Sequence, residues 1–153
     1  MISQSLKRSF NKQVEEVIEL LDHQVYVIYQ NKNIRCSCGH GESRQPDPAC
    51  KKCLGLGHKI KIKKVMCVCQ ESSNPKTVRD KANFLIASLY YFKAKDALNN
   101  DDIIIDGENV SVVFQGTDYA SFDGKKIYQK CTCPPRKSDT SHMMKNFNKI
   151  VGR

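Results

Sequence analysis

The sequence predicts an α+β fold: a small antiparallel β-barrel or sandwich, preceded by an N-terminal helix and interrupted by a cross-linked loop insertion. Apolar residues near the start recur at helical spacing, and short β-branched and aromatic runs follow at the spacing of a strand-rich domain. Between two of those runs lies a segment with four cysteines and few large apolar groups. A chain of 153 residues with 40% hydrophobic content fits one domain, or one domain with a small insert. The expected divisions are an N-terminal helix in 1–23, a β-rich core over 24–133 with the cysteine loop at 36–57, and a basic tail over 134–153.

From Ser3 to Asp22, the residues Leu6, Phe10, Val14, Val17, Ile18 and Leu21 recur every three or four positions, while Lys7, Arg8, Lys12, Glu15, Glu16 and Glu19 take much of the remainder. This is an amphipathic helix with one apolar face, suited to the protein's own core or to a neighbouring subunit. Its polar face mixes acids with bases, which disfavours a membrane-surface helix. Val25-Tyr-Val-Ile-Tyr29 is a strand by its β-branched and aromatic content.

The strand leads into Cys36-Ser-Cys38, and after a gap of eleven residues come Cys50-Lys-Lys-Cys53. Two close thiol pairs returned to one point by a loop can surround a tetrahedral Zn²⁺, so Cys36, Cys38, Cys50 and Cys53 are the expected metal ligands. With all four positions filled by thiolates, the ion is a staple rather than a reaction centre. The alternative is four reduced cysteines packed as small hydrophobes. The loop argues for the cross-link, because Gly39, Gly41, Ser43, Pro46, Asp47, Pro48, Gly55 and Gly57 are turn residues that bury little. His40 and His58 flank the thiols and are substitute ligands for Cys38 or Cys36.

Beyond the loop, His58 to Lys63 alternates Ile60 and Ile62 with Lys59, Lys61 and Lys63, the pattern of a half-buried strand. Residues Glu71 to Val78 form the clearest linker. Asn83 to Phe92 is helix or strand by period, with aromatic clustering in favour of strand. Asp101 to Asp106 and Val110 to Phe114 read as two strands joined by the turn Gly107-Glu108-Asn109. Lys125 to Cys133 is a further strand, stopped by Pro134-Pro135. The tail from Ser138 to Arg153 carries a short helix around His142 to Ile150 and is expected to order against a partner. Cys67, Cys69, Cys131 and Cys133 form i, i+2 pairs that project to one strand face. On neighbouring strands they would make a second four-thiolate site; small buried core cysteines are the simpler reading.

The net charge of +9 is unevenly spread. Residues 36–66 carry seven Lys/Arg against two acids, 124–153 carry eight against one, and 101–123 carry six acids and no base. Polarised basic surface attracts polyanions. Lys59, Lys61, Lys63, Lys125, Lys126, Arg136 and Lys137 are the expected groups near double-stranded DNA, contacting it without reading sequence; solubility is the competing explanation. No apolar run reaches a membrane span and the start lacks the apolar region of a secretory signal, which predicts no membrane partner and a reducing cytoplasm. No nucleophile elbow, P-loop, zinc-protease helix or dinucleotide fingerprint occurs, and a non-enzymatic role is the default expectation.

Asp47-Pro48-Ala-Cys50-Lys-Lys-Cys53-Leu-Gly55-Leu-Gly57, preceded by Cys36-Ser-Cys38 and a strand, resembles a pattern of tailed-bacteriophage neck proteins of the head-closure, stopper-like class. Asn100-Asp-Asp102-Ile-Ile-Ile-Asp-Gly107-Glu-Asn-Val110-Ser-Val112 resembles the hairpin of their small β-barrel, with Asn100 and Val110 where that family has glycine and often an aromatic. The resemblance spans roughly residues 24–133. It implies a virion component of the head-tail connector, made in the host cytoplasm: a homo-oligomeric ring that meets the portal or adaptor and the tail proteins and surrounds packaged DNA. It also implies that the four loop cysteines hold structural zinc and that no residue is catalytic. The competing class is a cytosolic zinc-ribbon protein that binds nucleic acid or regulates. Cys50 to Gly57 further matches the C-x-x-C-x-G-x-G unit of J-protein cochaperones, which carry several copies where this chain has one.

Overall fold

The computed structural model describes residues 3–20, 23–39, 45–70, 76–80, 83–114 and 118–153. Helix α1 spans Gln4–Leu20 and is followed by strands β1 (His23–Arg35) and β2 (His58–Gln70), which flank the cysteine loop. Then come β3 (Lys76–Asp80), β4 (Asn83–Lys93), a 3₁₀ turn (Ala94–Asp96), β5 (Ile103–Asp106), β6 (Asn109–Val112), β7 (Asp118–Phe122), β8 (Lys125–Cys133) and helix α2 (Ser141–Val151). The architecture is α+β, with one antiparallel sheet in the order β6-β5-β1-β2-β4-β8-β7 and β3 paired to the first half of β4.

Strand alternation distributes two cores to opposite faces of this sheet. On one face Val25, Val27, Val65, Cys67, Tyr90, Phe92, Ile104, Cys131 and Cys133 cluster, closed off by Leu98 and Val113. On the other, Ile28, Ile103, Ile105 and Val110 meet Leu54 from the loop and Met143 and Phe147 from α2. The ambiguous stretch Asn83 to Phe92 is a strand because both of its edges are paired, to β2 and β3 and to β8.

β1 and β2 are longer than their apolar signals, each running 13 residues. Their polar ends pair with each other at the base of the loop: Tyr29 faces Lys61, Asn31 faces Lys59 and Arg35 faces His58. Residues Lys76 to Val78, read as linker, belong to β3, which pairs with β4 from Lys76 opposite Ala87 to Asp80 opposite Asn83. The remainder of that linker, 71–75, lies outside the described residues, as do Leu21, Asp22, His40, Gly41 and Ser43.

The tail differs from its expectation. Far from waiting for a partner, α2 seats Met143 and Phe147 in the second core, because their i, i+4 spacing puts both on one face, with Met144 and Val151 packed beside them. Gly152 in the left-handed conformation ends it, and Arg153 N–H donates to the Asn148 carbonyl.

Helix α1 packs over β2, β4 and β8. Ile18 is buried and the Phe10 ring meets Phe122 at 5.1 Å, yet Leu6, Val17 and Leu20 remain more than half exposed. An apolar groove of about 350 Å³, lined by Phe10, Val14, Ile18, Val68, Tyr91 and Tyr128, runs beneath the helix. Among the described residues no helix is long and apolar enough to cross a membrane.

Candidate metal centre

The loop is tied at its neck by Cys36 N–H donating to the Gly57 carbonyl, at 2.9 Å. Within it, Asp47 builds a turn: its carboxylate accepts from Ala49 N–H at 3.0 Å and its carbonyl from Cys50 N–H at 3.0 Å. Leu56 N–H donates to the Cys53 carbonyl at 3.0 Å. Leu54 has φ of +52°, a left-handed conformation that costs a non-glycine residue on the order of 1 kcal/mol. Burial of its side chain against Phe147 and Ile28 offsets that cost. Asn146 of α2 adds a hydrogen bond from its amide to the Ala49 carbonyl, 3.1 Å.

These constraints bring the four sulfurs of Cys36, Cys38, Cys50 and Cys53 within 4.8 Å of one another. The Cys36 and Cys50 sulfurs are 3.8 Å apart and those of Cys38 and Cys53 are 3.5 Å apart. Sulfurs bound at about 2.3 Å to a tetrahedral Zn²⁺ would be about 3.8 Å apart, so the donor set fits such an ion. The four are free thiols, two of them buried. At Cys50, burial raises the thiol pKa but the backbone amides of Cys53 and Lys52 outweigh it, bringing the group down to about 7. Cys53 goes the other way, pushed up to about 12 by burial. A cation would draw the remaining protons off, so metal binding here releases protons. His58 is the first residue of β2 and is outside the cluster.

Gly55 and Gly57 are required by this geometry. Both have positive φ, +79° and +82°, and a Cβ on Gly55 would stand 3.2 Å from the Pro48 backbone. Gly55→Ala is expected to lower stability by about 1–2 kcal/mol through the left-handed strain and that close approach. Denaturant titration of the folded variant checks this; an unchanged midpoint would show that the turn gives way freely.

The second cysteine set lands differently from a four-thiolate site. Cys69 on β2 is level with Tyr90 on β4, which is level with Cys131 on β8, so β4 separates the two pairs and its aromatic side chains stand between them. Cys67, Cys131 and Cys133 are buried in the first core, with Cys69 packed against it. Burial pushes Cys67 and Cys131 up to about 12 and also raises Cys133. The four do not form a set with all sulfurs within 4.8 Å. Cys67, Cys131 and Cys133 pack as small hydrophobes, and Cys69 lies at the edge of that core.

The basic residues divide into two places. The register through β4 sets Cys67 level with Gln129, so Lys63 and Lys125 come near the same end of their strands. Lys59, Lys61, Lys125 and Lys126 are exposed. Lys63 is engaged by Asp96 at 2.7 Å, and Lys126 lies 3.9 Å from the Tyr119 ring centre. Arg136 and Lys137 follow the far end of β8. Burial lowers the Arg136 pKa, and its guanidinium donates to the Met143 sulfur at 3.1 Å, joining α2 to the sheet.

The sequence pointed to the four thiols that cluster here and missed their support. Leu54, Asn146 and Phe147 hold the loop from outside it, and the visible signals were an apolar residue directly after Cys53 and the i, i+4 stripe of α2. Compared with known proteins, the chain matches no family model and no curated protein.

Proposed function

We propose that this protein is a structural subunit of a tailed-phage neck: a ring in the virion that connects the portal or its adaptor to the tail and helps retain packaged DNA. The observation that carries this reading is the four-thiolate cluster fixed into the folded sheet by Leu54 and α2, which leaves no ligand position for chemistry and makes the loop a rigid projection. The ion is Zn²⁺, in keeping with four thiolates at tetrahedral spacing. The exposed apolar residues Leu6, Val17 and Leu20 of α1 suit contacts between copies in a closed ring.

The finer architecture in this reading is a small closed barrel. Its support is the backbone bonding of β6 to the segment at the end of β8: Val112 N–H to the Pro134 carbonyl, Phe114 N–H to Thr132 and Arg136 N–H to Val110, at 2.9–3.1 Å. β6 otherwise stands at the opposite end of the strand order from β8 and β7.

Two measurements test the proposal. Native mass spectrometry with imaging of virions is expected to find a ring at the head-tail junction; a lone monomer absent from virions would overturn it and favour the cytosolic zinc-ribbon reading. DNA binding is expected to be insensitive to sequence and to weaken steeply with salt. The Lys59→Gln, Lys61→Gln double variant should lower the log-log salt slope by about two, one unit per lost phosphate contact. An unchanged slope would mean that these lysines serve solubility.

A further inference from the structure

We infer that His23, Cys69 and Asp106 form a second metal site, a three-ligand centre for a divalent transition ion of the Zn²⁺ or Co²⁺ type, at the opposite end of the β1–β2 pair from the four-thiolate loop. Their ligand atoms all lie within 4.8 Å of one another. The three come from adjacent strands, as the first residue of β1, the next-to-last of β2 and the last of β5, in the strand order β5-β1-β2.

Strand parity puts them on one face. His23 is two residues before Val25, Cys69 two after Cys67 and Asp106 two after Ile104, and Val25, Cys67 and Ile104 all belong to the first core. The trio is therefore the polar rim of that core, where water ends and the packed interior begins. All three are part-buried, the state a ligand needs to be held in place and still reached by an ion.

The donors suit the ion. Imidazole nitrogen, thiolate sulfur and carboxylate oxygen together match a borderline divalent metal better than Mg²⁺ or Ca²⁺, which prefer oxygen alone. His23 Nε2 is 2.8 Å from Asp106 Oδ2. Two ligand atoms at about 2.0 Å from a tetrahedral ion stand about 3.3 Å apart, so a separation larger by about half an ångström admits it. Tyr90 supplies the outer support usual at metal carboxylates: its hydroxyl donates to the same Asp106 oxygen at 3.0 Å, and its ring is fixed in the core. Three protein ligands leave a fourth position for water or an incoming donor group, the feature that separates this site from the closed one.

The β1–β2 ladder runs from Cys67 opposite His23 to His58 opposite Arg35, so the two centres would lie at the two ends of a ladder roughly 30 Å long at about 3.3 Å per residue. One would pin the loop end of the pair. The other would pin the end where β1 receives the chain from α1.

Cobalt titration of the full-length, metal-stripped chain tests the site. The expected result is two equivalents bound per chain, the tighter with thiolate-to-cobalt charge transfer from four sulfurs and the weaker with the band of a single sulfur. His23→Ala and Cys69→Ser are each expected to remove the second equivalent and leave the first. Saturation at one equivalent in the wild type would overturn the proposal and leave a His–Asp hydrogen bond. So would a second equivalent that lacks thiolate charge transfer or survives both substitutions. The wild-type spectrum alone decides the question should either variant fail to fold.

Discussion

Stripping the metal, or replacing Cys53 with Ser, is expected to release residues 36–39 and 45–57 from their folded positions and to lower stability by on the order of 5 kcal/mol, a large share of an ordinary domain's total. Cys53 is the most telling of the four because it is fully buried and directly precedes Leu54, the side chain that plugs the loop into the second core. Without the ion, the paired sulfurs lose the attraction that holds them about 3.5–3.8 Å apart, and the left-handed Leu54 loses what keeps its backbone in place. Hydrogen exchange is the direct readout. The amides of Cys36, Cys50 and Leu56, which bond to Gly57, Asp47 and Cys53, should exchange at least tenfold faster, while the β4–β8 ladder changes less. Acid should act in the same direction. Ligand thiols must be deprotonated, and with Cys50 near 7 and Cys53 near 12 in the metal-free protein, protons compete increasingly as pH falls through neutrality toward 5. Unchanged protection in metal-free protein would show that packing alone orders the loop.

The thiol cluster was legible because its information is local: two short cysteine spacings in a turn-rich segment. So was β8, whose alternation and double-proline stop coincide with the strand Lys125–Cys133. What escaped was whatever depends on strand order. Nothing in Cys67-Val-Cys69 or Cys131-Thr-Cys133 says that β4 lies between them, and that one insertion decides between a second thiolate cluster and a core. The strand β7, Asp-Tyr-Ala-Ser-Phe, has too short and polar a pattern to stand out, and it is a strand by virtue of its pairing with β8. Asp106 read as a strand end and is one, whereas His23, placed at the close of the N-terminal helical segment, is the first residue of β1; only the three-dimensional meeting of β5, β1 and β2 makes them neighbours. The acidic run and the lysine row show the same limit for charge. Lys63 of the basic block pairs with Asp96 and Asp101 of the acidic block pairs with Lys32, at 2.7 and 2.6 Å, so each block is partly neutralised by a residue from outside both.

Phe147→Ala is expected to cost about 3–5 kcal/mol, the range for removing a fully buried aromatic ring. Phe147 is 0% exposed and its ring meets Tyr26 edge-on at 5.2 Å. Its effect should extend beyond α2. The same cluster contains Leu54, and Asn146 on the preceding position holds the Ala49 carbonyl, so loosening α2 removes the outer wall of the metal loop. Two consequences follow that a merely local defect would not produce. Metal affinity should fall together with stability, because the loop must then be ordered at the ion's expense, and Phe147→Ala with Leu54→Ala should destabilise by less than the two single changes added, since each already leaves the other side chain against a cavity. Denaturant unfolding of the four-member cycle, with metal affinity measured by competition against a chelator, checks both. If Phe147→Ala unfolds at the wild-type midpoint and binds metal as tightly, α2 is an appendage after all, and the tail returns to being a segment that awaits its partner.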